Sequence, residues 1–135
     1  MTETATRILI VAGMANLLVG ALSGIPMALA RQSGAAAAPR YLTMVHLGGL
    51  MHGPILFGIA FAMTISTASP WVDNTAAVIL AAASGLLVLK DSLNWLQKVD
   101  DEFTENSVGL TIGKLFGPLH VVGLGFASAS VISGL

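Results

Sequence analysis

The sequence predicts an all-α integral membrane protein, a four-helix bundle forming one domain over residues 1–135. Three observations carry that expectation. Hydrophobic residues make up 55% of the chain and charged residues only 10%, and the mean hydropathy is +0.83, as in proteins that live in lipid. The apolar residues fall into four runs, at about 6–30, 41–67, 74–99 and 115–135, each close to the ~20 residues a helix needs to cross a bilayer. Most charged residues sit at or between the ends of these runs, as do all the prolines but Pro54, which falls inside the second run just after His52 and is expected to bend it locally. A net charge of −1 with no basic patch gives no footprint for a nucleic-acid partner, and the absence of cysteine removes disulfides, thiolate metal sites and thiol nucleophiles.

The first run is too long for the core of a signal peptide and lacks the basic start and small-residue cleavage pattern, so it reads as a retained helix. Asn16 is its one strongly polar interior residue. Gly13, Gly20 and Gly24 lie near the same face, which marks a helix-contact stripe with an interhelical hydrogen bond at Asn16. Pro26 is expected to kink or end this helix. Residues 31–40 form a short loop with Arg31 and Arg40 at its ends, placed to anchor two helices at headgroup level.

The second run, YLTMVHLGGLMHGPILFGIAFAMTIS, carries His46 and His52 in its first half. Ionisable groups inside a membrane helix are costly and face a partner, a cavity or a cofactor. Gly49 and Gly53 fall at about −60° and −20° from His46, so a histidine and a strip without side chains share one face, while His52 is roughly 120° away. Two readings of that strip are open. Gly49-x-x-x-Gly53 is a close-packing motif for membrane helices, and it is also a floor on which a flat macrocycle such as haem would lie with His46 on its iron. A two-histidine zinc site is a third possibility, though the HEXXH spacing is absent.

Residues 69–75, SPWVDNT, read as a tight turn with Trp71 at the membrane interface. The third helix is expected to turn polar at Lys90, Asp91 and Asn94, forming a buried polar cluster near its end. Residues 100–114 read as a polar loop able to cover a site, and Gly117, Pro118 and His120 open the fourth helix, where Gly123, Ala127 and Ser130 offer a small contact face. Antiparallel alternation puts His46, His52, Asp91, Asn94 and His120 toward one leaflet. Arg31, Arg40, Lys98 and Lys114 lie on that side, which the positive-inside rule assigns to the cytoplasm. A bundle this small has little room for a private cavity, so a symmetric ring with a site between subunits is expected.

The order His46-Leu47-Gly48-Gly49-Leu50-Met51-His52-Gly53, then Leu93-Asn94, then Phe116-Gly117-Pro118 resembles the small membrane isomerases comprising hydroxylaminobenzene mutase and styrene oxide isomerase. The likeness spans roughly two thirds of the chain and leans toward the mutase branch. It implies a homotrimer in a bacterial inner membrane, with haem b near subunit interfaces and iron held by His46. The glycines Gly49 and Gly53 would then serve the cofactor. His52 replaces an asparagine of the epoxide branch, and Lys98 falls where that branch has a tyrosine near the substrate.

The resemblance therefore implies conversion of an arylhydroxylamine such as hydroxylaminobenzene to an ortho-aminophenol. Iron would act as a Lewis acid, His52 would transfer the proton, and Asn94 and Asp91 would orient the substrate nitrogen. Epoxide isomerisation of the styrene oxide type and a haem-free small-molecule transporter are the alternatives.

Overall fold

Thr2 starts the first helix by accepting the amide of Ala5 on its hydroxyl (3.1 Å), which satisfies one of the N–H groups a helix start leaves open. In the computed structural model, which describes residues 2–135, four long helices follow. They are α1 (Glu3–Gln32), α2 (Arg40–Ala62, extended by a 3-10 turn at Met63–Ile65), α3 (Pro70–Leu96) and α4 (Val108–Ile132). There is no strand among the described residues, and all four helices are long and apolar enough to span a membrane.

Several boundaries differ from the sequence expectation, α3 ending at Leu96 rather than near residue 99 among them. Helix α1 continues through Pro26 to Gln32. Helix α3 starts at Pro70 rather than near residue 74, because a proline in the first turn needs no N–H donor there, and the Ser69 backbone carbonyl accepts the Val72 amide (2.9 Å). Helix α4 starts at Val108 rather than near residue 115, because Ser107 caps it by accepting the Leu110 amide (2.9 Å). Lys114 therefore lies inside α4 and not in the loop.

The bundle is organised around α3, which packs against all three other helices. Helices α1 and α2 run antiparallel at close range through glycine. A Cβ on Gly49 would stand 2.6 Å from the Asn16 carbonyl oxygen and 2.7 Å from Gly20 Cα, and one on Gly13 would meet Phe57 at 2.4 Å. Small residues let backbones approach this closely. Asn16 donates to Ser84 Oγ across to α3 (3.1 Å), the interhelical bond its position predicts. On the far side, Gly123 receives Leu80 and Ile79 of α3.

A compact apolar core of Ala5, Leu9, Leu56, Met63, Ala76 and Leu80 closes the end of the bundle that holds the chain termini. At that end Asp73 is buried and accepts hydroxyls from Ser66 (2.9 Å) and Ser130 (2.6 Å). Along α1 the opposite stripe, Val11, Met14, Leu18, Leu22, Ile25 and Leu29, is exposed. An apolar face turned outward along a whole helix is what lipid contact requires.

Candidate functional site

The residues singled out in the sequence come together in three groups, not one. The first surrounds His46. Its Nδ1 lies 2.7 Å from the Gly20 carbonyl oxygen and 3.5 Å from Ser23 Oγ, whose own hydroxyl donates to the same carbonyl (2.7 Å). A carbonyl only accepts, so Nδ1 is the donor to it, and in the tautomer this selects Nε2 is the nitrogen with the lone pair. No hydrogen bond reaches Nε2 among the described residues. The absence of a side chain on Gly24 makes room for the ring, since a Cβ there would already stand 3.4 Å from His46 Cε1. Carbonyl to Nδ1–H with Nε2 left bare is how metal-ligating histidines are held.

The glycine strip beside His46 has the other of its two uses. Gly49 is pressed on Gly20 and Asn16, and Gly53 on Leu17 and the Gly13 carbonyl. Helix α1 fills the space a macrocycle would need, so Gly49 and Gly53 are not a cofactor floor in this chain. The Nδ1–carbonyl bond gives His46 the donor chemistry of a metal ligand, whereas the expected glycine contact with a macrocycle is taken by α1.

The second group joins α2 to α4. His52 donates from Nδ1 to the Gly48 carbonyl (3.1 Å), which again leaves Nε2 free to accept. Its ring centroid lies 5.6 Å from that of His120 and 6.3 Å from that of Phe116, and Phe116 lies 5.5 Å from His120. His120 Nδ1 is buried without a hydrogen-bond partner. His120, noted in the sequence only as a third candidate at similar depth, is thus the direct neighbour of His52.

The third group holds Lys90, Asp91 and Asn94. Lys90 Nζ contacts both carboxylate oxygens of Glu102 (2.9 Å each) and Asp91 Oδ1 (2.9 Å), and Asn94 Nδ2 donates to Glu102 Oε2 (2.7 Å). The Glu102 amide in turn donates to the Tyr41 hydroxyl (2.9 Å). Gly109 and Gly113 of α4 lie directly over Asn94 and Lys90. Asp91 and Asn94, expected to orient a substrate beside His52, instead lie beneath α4. Asn94 Nδ2 and, through Lys90, the Asp91 carboxylate are tied to Glu102 of the loop, while Asn94 Oδ1 is buried without a hydrogen-bond partner. Among the described residues no hydrogen bond, ion pair or ring contact joins the three groups.

Glu102 and Tyr41 are absent from the sequence reading. The signal for Glu102 was general: a lysine buried in a membrane helix needs a counter-ion, and residues 100–105 hold four acids within reach. Which of them turns inward depends on the loop path. No group of three or more histidines and acids converges on a point where a metal ion could be held among the described residues, so the two-histidine zinc reading lacks a completed ligand set.

Fold and site together define an all-helical protein of membrane-spanning type with histidines placed within its spans. No protein-family model, curated protein or solved structure matches the chain.

Proposed function

We propose that this chain is a membrane isomerase that converts an arylhydroxylamine such as hydroxylaminobenzene to an ortho-aminophenol, working as a homotrimer with haem b in a bacterial cytoplasmic membrane. The observation that supports it best is His46, with Nδ1 fixed on the Gly20 carbonyl and Nε2 unpartnered. Nε2 of His46 would hold the iron, with Ser23 and Gly20 fixing the ring plane. Bound haem would supply a Lewis acid for the N–O oxygen.

The rearrangement is an isomerisation in which the N–O bond breaks and a C–O bond forms at the ortho carbon. That carbon loses its proton and the nitrogen gains one, with no net electron transfer. His52 suits the proton step: its Nδ1–H is held by Gly48, and its free Nε2 accepts the ring proton as aromaticity returns. Phe116, whose ring stands 6.3 Å from that of His52, would give an aryl ring an aromatic neighbour beside that imidazole. Asn94 and Asp91 support this site only through the position of α4. Because His46 faces α1 while His52 faces α4, the proposal places a complete site between neighbouring subunits.

The first test is the absorption spectrum of detergent-purified protein. Wild type is expected to show a Soret band and His46→Ala to lose it while keeping its helical circular dichroism. A colourless, well-folded wild type that takes up no added haem would sink the proposal and favour the transporter reading. With haem retained, His52→Ala is expected to lower turnover of hydroxylaminobenzene by roughly 10²- to 10⁴-fold, the usual range for a lost acid–base group. Unchanged turnover would remove His52 from the mechanism.

A further inference from the structure

Helix α3 ends in a way that is unusual for its sequence. The Val99 amide donates to the Asn94 carbonyl (3.0 Å) and the Lys98 amide to that of Trp95 (3.1 Å), the paired bonds of a Schellman cap. The residue that must turn left-handed in such a cap is usually glycine, which has no Cβ to clash. Here it is Lys98, at φ 55°. The chain carries a strained backbone at a point where the gain is a cationic side chain.

Lys98 borders a cavity of about 590 Å³ between the start of α2 and the end of α3, lined also by Arg40, Tyr41, Trp95, Leu96 and Val99. Ligand sites run from about 300 to 1,000 Å³. Arg40 is held in place there: its Nη1 donates to the Asp100 carbonyl (3.0 Å), and its guanidinium carbon stands 5.5 Å above the buried Tyr41 ring. Its remaining N–H groups have no partner among the described residues. Asp100 contributes the one carboxylate to the lining, against two cations. The rest is aromatic or aliphatic, and the cavity lies where the two spans end. Cations at headgroup level, a tryptophan and a tyrosine at the interface and an apolar wall below are the complement of one ligand class.

We propose that this cleft binds an anionic phospholipid, its phosphate between Arg40 and Lys98 and its first acyl carbons against Trp95, Leu96 and Val99. The site is separate from His46, His52 and His120, and the inference stands whether or not the chain is an isomerase.

The test uses delipidated full-length protein in a neutral detergent, with lipid occupancy read by native mass spectrometry and melting temperature followed in parallel. Phosphatidylglycerol is expected to be retained and to raise the melting temperature, while phosphatidylcholine and inorganic phosphate do neither. Lys98→Gly and Arg40→Gln are each expected to weaken phosphatidylglycerol binding about fivefold, the share of one cation at an anionic lipid surface. Lys98→Gly separates binding from folding, because glycine suits the left-handed cap and its lipid-free melting temperature should equal or exceed that of wild type. Equal retention of the two lipids, a matching shift with inorganic phosphate alone, or undiminished affinity in Lys98→Gly would each overturn the proposal.

Discussion

Gly49→Val is expected to separate α1 from α2. At Gly49 even one added carbon would meet backbone atoms of Asn16 and Gly20 at 2.6–2.7 Å, and backbone cannot rotate away as a side chain can. Overpacking of a well-packed site costs typically 1–3 kcal/mol and more when nothing yields, so a loss of about 3 kcal/mol or greater is expected here. The measurement is unfolding in mixed micelles titrated with sodium dodecyl sulfate, followed by circular dichroism. Gly58→Val is the matched control, since a Cβ at Gly58 has nothing within 4 Å, and it should unfold close to wild type. If the two variants unfold together, the close α1–α2 approach is wrong, and the glycine strip again becomes free for a cofactor. The same variant therefore bears on the site as well as the fold, because Gly20 holds His46 through its carbonyl.

The second large effect is expected at Lys90, which is 8% exposed. Its stem runs beneath Gly113 and its ammonium is shared by Asp91 and Glu102. Lys90→Met keeps most of the volume but leaves two carboxylates facing each other without a cation. Breaking a buried ion pair from one side costs about 3–5 kcal/mol, and the same micelle titration reads it. Adding Glu102→Gln should recover part of the loss, because an amide still pairs with Asn94 and removes one of the two negative charges. A double-mutant cycle over Lys90 and Glu102 should give a coupling well above the ~0.5 kcal/mol that separates independent sites. A coupling near zero would mean that the loop does not depend on this cluster.

The reading of Asn16 shows where sequence suffices. A lone amide in an apolar helix must find a partner, and a neighbouring helix is the available source; Ser84 fills that role. Gly13, Gly20 and Gly24 similarly mark a contact face before the partner is known. The reading of Gly49 and Gly53 shows where it stops. A strip without side chains accommodates a helix or a macrocycle equally well, and only the position of α1 decides between them. Sequence puts Asp91 and Asn94 in the last turns of α3, but their angular position about that helix turns them to α4 and Glu102 and not to His52.

Sequence by itself determined the helical class, the four apolar helices long enough to cross a membrane, the polar cluster at the end of α3 and the chemistry of the buried polar residues. These follow from length, hydropathy and the cost of burying polar groups, all of which are local or additive. Tertiary structure decided the partners: α1 on the Gly49 strip, His120 beside His52, Glu102 on Lys90, and a lysine at the left-handed cap of α3 facing a cleft. The physical reason is rotational. A membrane helix is apolar on most of its circumference, so hydropathy fixes its depth but leaves its rotation and neighbours to packing between small residues and to the pairing of a few buried polar groups.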